Sequence, residues 1–166
     1  MKKLTLLSLA ITCLLPTLSY AQPVSSTVGL SYEFSNVKVG NTTAHVNGPR
    51  FQASSELPWG NIKGAAATLS DNSIDYRYYT LAIEKPIPIQ ASNFYVSPEA
   101  GMTYADYSDN SYHKADFGPE VGMSIGYNIN EQFQVQSNYN HLFGMKSGEI
   151  NLEEDSASLG VKYRFN

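Results

Sequence analysis

The sequence predicts an all-β fold: an eight-stranded antiparallel up-and-down transmembrane β-barrel. Three observations predict it. Apolar and polar residues alternate one for one in stretch after stretch, the period that sends them to opposite faces of a strand. No segment after Ala21 is apolar for the roughly 20 residues a spanning helix needs, so entry into a bilayer has to be by strands. Finally, Ala157, Leu159, Val161, Tyr163 and Phe165 alternate with Ser156, Ser158, Gly160, Lys162 and Arg164. That closing run matches the roughly nine to eleven residues of a tilted transmembrane strand.

The elements follow in chain order. Lys2 and Lys3, the apolar run Leu4–Leu15, Pro16 and the small-x-small site Ser19-Tyr20-Ala21 read as a signal peptide over 1–21. The barrel domain is then expected over 22–166. Cys13 is the one cysteine and lies inside the leader, behind Ala10-Ile11-Thr12, a poor lipobox. The mature chain therefore has no thiol for a disulfide, a metal site or a nucleophile. Lys and Arg number 11 against 15 Asp and Glu, and the leader removes two lysines, leaving a net charge of −6. That balance argues against nucleic acid as a partner.

The clearest strands set Val28, Leu30, Tyr32 and Phe34 against Gly29, Ser31 and Glu33, and Phe94 to Tyr104 against Tyr95 to Thr103. Phe117 to Tyr127 alternates against Gly118, Glu120, Gly122, Ser124 and Gly126. Phe133, Val135 and Tyr139 stand against Gln134, Gln136 and Asn138. Fainter patterns over 49–57, 61–69 and 75–84 complete eight, the smallest even number for a single-chain barrel of this kind. Short turns at 57–61, 85–88 and 128–131 alternate with longer polar segments at 35–48, 105–114 and 144–155, apart from a short link at 70–73. Read as loops, the long segments face outward and both termini face the periplasm.

Alternation alone also fits a soluble barrel with an apolar lumen. Three features favour the inverse. The polar sets carry many Gly and Ser, which suit a lumen only just wide enough for side chains. Aromatics close the apolar sets (Phe117 with Tyr127, Phe133 with Tyr139, Tyr163 with Phe165), as interfacial girdles do. The terminal pattern Leu159, Val161, Tyr163, Phe165 fits an assembly signal.

Those residues carry a resemblance. Leu159-Gly160-Val161-Lys162-Tyr163-Arg164-Phe165 and the strand pair Phe117–Phe143 are similar to the small outer-membrane barrels, the superfamily of the OmpA membrane domain, OmpX and Ail, and the opacity proteins. The resemblance covers the mature chain, with one departure: Asn166 follows the terminal aromatic. It implies the outer membrane of a Gram-negative bacterium, reached through the barrel-assembly machinery, with membrane lipid and lipopolysaccharide as surroundings.

Charges expected to face inward are Glu33, Arg50, Glu56, Glu84, Glu99, Glu120, Lys162 and Arg164. Charge at membrane depth suggests an ion path, but buried charge must pair, and a filled lumen is the preferred reading. Lys162, Arg164 or Arg50 are the expected counter-ions of Glu99 and Glu120. A lipid A-modifying enzyme is the alternative. His45, His113 and His141 are the histidines available, and His141 lacks the His-x-Ser spacing of such deacylases. Asp106, Tyr107, Asp109 and Tyr112 form an acidic, tyrosine-bearing loop suited to surface interaction, with a host or surface ligand as partner. No cofactor or metal site is expected, and the chain is read as a monomeric, non-catalytic outer-membrane protein.

Overall fold

The computed structural model describes residues 25–71, 74–108, 113–147 and 150–165; the expected signal peptide lies outside them. Eight long strands run up and down: β1 Ser26–Val39, β2 Thr42–Leu57, β3 Gly60–Asp71, β4 Ile74–Glu84, β6 Phe94–Ser108, β7 His113–Asn128, β8 Phe133–Ser147 and β9 Ile150–Phe165. A two-residue β5, Ile87–Pro88, pairs with β6 beside the β4–β6 connection. Every long neighbour is antiparallel, and β1 against β9 with β4 against β6 closes the sheet. Closure is what hydrocarbon requires, since an unpaired backbone amide there costs several kcal/mol.

The faces divide as the alternation requires. Leu30, Phe34, Leu81, Met123, Leu159 and Val161 point outward and are exposed, whereas Ser31, Glu33, Ser124, Ser156 and Ser158 are buried in the lumen. Aromatic rings collect at two levels of the outer wall. Phe94 with Tyr127, and Phe133 with Tyr163 and Phe165, have centroids 4.8–5.2 Å apart at the end bearing both termini. Tyr32 with Phe34 and Tyr104 with Phe117 form the other level. Tyr163 and Phe165 thus share one girdle. Inside, a Cβ on Gly126 would overlap the Tyr95 ring, so this glycine is the space the tyrosine occupies.

The long polar segments are not loops. The 35–48 segment is the continuation of β1 and β2 around the two-residue turn Gly40-Asn41, where Gly40 takes φ +59°, a conformation glycine adopts without Cβ strain. Most of 105–114 and 144–155 is likewise strand. Strands of 14 to 16 residues (β1, β2) exceed the roughly ten that cross a bilayer. The surplus, at about 3.3 Å per residue and with the usual tilt, lifts the barrel roughly 10–15 Å beyond the hydrocarbon.

Hydropathy inverts in that extension while the parity of β1 does not; in β8 a register shift between Leu142 and Met145 interrupts it. On β1 the outward series runs Leu30, Tyr32, Phe34 and then Asn36, Lys38; the inward series runs Ser31, Glu33, Ser35 and then Val37. Val37, Val46, Leu69, Tyr76, Leu142 and Leu152 are each at most 2% exposed and form one cluster across the lumen with Tyr78 and Tyr107. The molecule is therefore inside-out within the membrane and built like a soluble barrel above it.

Candidate functional site

The lumen holds five buried carboxylates, Glu33, Glu84, Glu99, Glu120 and Glu154, and three buried cations, Arg50, Lys63 and Lys162, counted among the described residues. Each sits on an inward strand position. Starting from the end with the termini, Lys162 Nζ lies 3.8 Å from Glu84 Oε1, which also accepts from Asn61 Nδ2 at 3.3 Å. In the middle, Lys63 on β3 pairs with Glu99 on β6. Asn140 Nδ2 on β8 donates to Glu99 at 2.8 Å and to Glu120 at 2.5 Å. Thr80 and Thr103 hydroxyls donate to the other oxygen of Glu120. Further out, Arg50 lies 3.4 Å from Glu33, and the Tyr78 hydroxyl donates to Glu33 at 2.7 Å. Outermost, Glu154 accepts from Ser35 and Tyr76.

Several of these bonds tie strands that are not neighbours in the sheet, among them Lys63 to Glu99, Tyr78 to Glu33 and Tyr76 to Glu154, and together they fill the interior with partnered charge. At the outer end of the network, among the described residues, the apolar cluster packs across the lumen.

Several expected positions move. The counter-ion of Glu99 is Lys63, which stands on a strand whose alternation is faint and alanine-rich; Glu154 stands in the 144–155 segment, which the sequence predicts as loop and the structure shows as strand. Period-two parity alone would have found both. Glu56 is exposed and Arg164 partly so, and both line a cavity of about 300 Å³ at the mouth nearest both ends of the barrel chain. Their parity is inward, but they stand one residue from their strand ends, where the lumen meets water. Tyr107 is corrected outright. At 4% exposure it packs inside the extension, because it continues the inward series Glu99, Gly101, Thr103, Ala105. Asp106 faces outward with His113 Nε2 at 3.1 Å. Asp109 and Tyr112 lie outside the described residues.

On the outer wall, Asp155 accepts from His141 Nδ1 at 2.8 Å and Tyr139 at 2.9 Å. An acid that orients a histidine is two-thirds of a hydrolytic triad. The serine on the same face of β8, Ser137, is four residues from His141, about 13 Å along the strand, so it does not stand beside this pair. The closing strand sets Leu159 and Val161 toward lipid, with Tyr163 5.2 Å from Phe133.

Comparison with known proteins agrees with this architecture. Residues 4–165 match the family model of the outer membrane protein beta-barrel domain. No curated protein matches the sequence. Among solved structures, Neisserial surface protein A is similar over 84% of this chain and 97% of its own, at 14% identity and TM-score 0.65. The N-terminal barrel domain of Pseudomonas aeruginosa OprF gives 14% identity and TM-score 0.59 over 82% and 97%. Yersinia pestis Ail, the attachment invasion locus protein, crystallised with the heparin analogue sucrose octasulfate, gives 19% identity and TM-score 0.57 over 87% and 100%. At such identities the likeness is one of fold, and it is the same fold derived above from strand parity and closure. With a family model spanning nearly its whole length, the chain belongs to the outer-membrane β-barrel domain family and resides in the outer membrane.

Proposed function

We propose that this protein is a structural and surface-interaction barrel whose working part is the stem that rises out of the membrane. One observation carries the reading: the inversion of hydropathy above Phe34, which gives the extension its own apolar core and a polar outer surface. Eight strands held by such a core raise the ends of the strands above the membrane on one support, an arrangement suited to adhesion-like contact with another surface. The chain is exported through a signal peptide over 1–21, folds with the assembly machinery reading Leu159, Val161, Tyr163 and Phe165, and acts as a monomer without catalysis. Its lumen charges serve stability and conduct nothing.

The test pairs two measurements. Cells displaying the protein should adhere to a host-matrix or abiotic surface that deletion cells ignore. Purified protein should give no conductance steps in a planar bilayer. Equal adherence by both strains would sink the surface role, and conductance altered by Glu120→Gln would replace it with a pore. Acyl release from lipopolysaccharide that is lost in His141→Ala would establish the enzyme instead.

A further inference from the structure

The end of the barrel where β1 begins and β9 finishes opens on two cavities. The inner one, about 180 Å³, is lined by Glu84, Lys162, Tyr95 and Gln134, with Asn128 and Arg164 nearer the strand ends. The outer one, about 300 Å³, shares Asn61, Pro86 and Arg164 with it, so the two form one vestibule. Trp59, half-exposed, lines only the outer part, as does Lys85.

Some of its polar groups satisfy one another. The Tyr95 hydroxyl donates to Gln134 Oε1 at 3.2 Å, and Thr27 and Ser54 share a hydrogen bond of 2.7 Å. Others do not. Glu84 is 2% exposed; its Oε1 takes the Asn61 amide at 3.3 Å and faces Lys162 Nζ at 3.8 Å. Its Oε2 has no hydrogen-bond partner among the described residues, and neither has Asn128 Oδ1. A buried acceptor without a donor is costly, so both oxygens call for N–H groups. Arg164 and Lys85 take part in none of the ion pairs among the described residues. A guanidinium so placed calls for a carboxylate.

This lining selects against a bare ion of either sign. A metal cation at Glu84 would sit beside Lys162, and a simple anion at Arg164 would face Glu84 across the same cavity. An occupant that carries both charges meets neither repulsion. Arg164 stands two residues beyond Lys162 on β9, about 6.6 Å along the strand. Two hydrogen bonds of about 2.9 Å, joined by the short carbon bridge between an ammonium and a carboxylate, span a step of that size. We infer that the vestibule is a binding site for a small zwitterion of the amino-acid class. Its ammonium lies against Glu84 and Asn128, its carboxylate on Arg164, and its side chain toward Trp59. The site is at the end opposite the stem and rests on no part of the surface role.

The experiment titrates the folded barrel in detergent with L-leucine, leucinamide and N-acetyl-leucine, read by calorimetry. At about pH 6.5 the free α-amino groups carry their proton. Leucinamide then keeps the ammonium without the carboxylate, and N-acetyl-leucine keeps the carboxylate without the ammonium. Wild type should bind one leucine saturably and each derivative at least tenfold more weakly. Arg164→Gln should weaken leucine at least tenfold and leave leucinamide unchanged. Glu84→Gln should weaken leucine likewise and leave N-acetyl-leucine unchanged. Asn128→Ala probes the same ammonium end without touching the Glu84–Lys162 pair, and should weaken leucine severalfold. Asp155→Asn, at the far end of the barrel, should bind all three probes as wild type does. Heat-shifted gel mobility confirms that each variant is folded. No saturable leucine binding, equal binding of the three probes, or an Arg164→Gln loss shared by leucinamide overturns the site. None of these results bears on the adherence test.

Discussion

Replacing Lys63 by Met isolates the energetic logic of the lumen. Lys63 is fully buried and is the only cation in an ion pair with Glu99 among the described residues. Removing one partner of a buried pair leaves an uncompensated charge, with losses of about 3–5 kcal/mol. The carboxyl has one escape, which is to take up a proton. Starting from an ordinary glutamate pKa of about 4.3 and about 1.36 kcal/mol per unit, that route costs about 4 kcal/mol at pH 7.5 and about 1 kcal/mol at pH 5. The loss in Lys63→Met should therefore shrink as pH falls, by about 1.4 kcal/mol per unit. The double variant Lys63→Met/Glu99→Gln should recover most of the loss, because no charge is stranded. Urea unfolding of the refolded barrel at pH 5 and pH 7.5, run as a double-mutant cycle, measures all of this. A Lys63→Met loss under 1 kcal/mol at pH 7.5, or one independent of pH, would falsify the claim that the pair is dry and mutually dependent.

Further expectations follow from the two faces and the two cores. Val121→Arg, outward at mid-membrane, should cost about 2–4 kcal/mol, while Ser124→Thr, inward, should be milder; equal losses in urea melts would contradict the assignment of faces. Leu142→Ala, in the cluster that caps the lumen, should destabilise by about 2–5 kcal/mol. If that cluster seals the barrel, Leu142→Ala should also be the variant in which bilayer recordings first show current. Phe165→Ser should slow appearance of the heat-shiftable folded form in cells while leaving refolding into detergent near wild type. A matching defect in both assays would mark Phe165 as a packing residue and not an assembly signal.

Strand parity was legible from the chain because it is a local property: side chains two residues apart share a face wherever the backbone is extended. From Ala157-x-Leu159-x-Val161-x-Tyr163-x-Phe165 and its counterparts, the barrel, its closure and the identity of the lipid-facing residues all follow without coordinates. So does the inward direction of Glu33, Arg50, Glu99, Glu120 and Lys162, since each stands between two lipid-facing neighbours.

What tertiary structure decided was everything that depends on where along the bilayer normal a residue sits. Apolar residues face out only where hydrocarbon is outside. Above Phe34 the surroundings turn to water and the same parity carries the opposite pattern, so Val37, Val46 and Leu152 looked like parts of polar loops and Tyr107 like a surface residue. The pairing of charges was equally hidden. Lys63 meets Glu99 across the lumen from strands separated by β4, at 36 residues' remove, a distance set by barrel tilt and stagger and by no local periodicity. Local alternation names the faces of a strand; only the closed, tilted barrel says what lies beyond each face and which charge stands opposite.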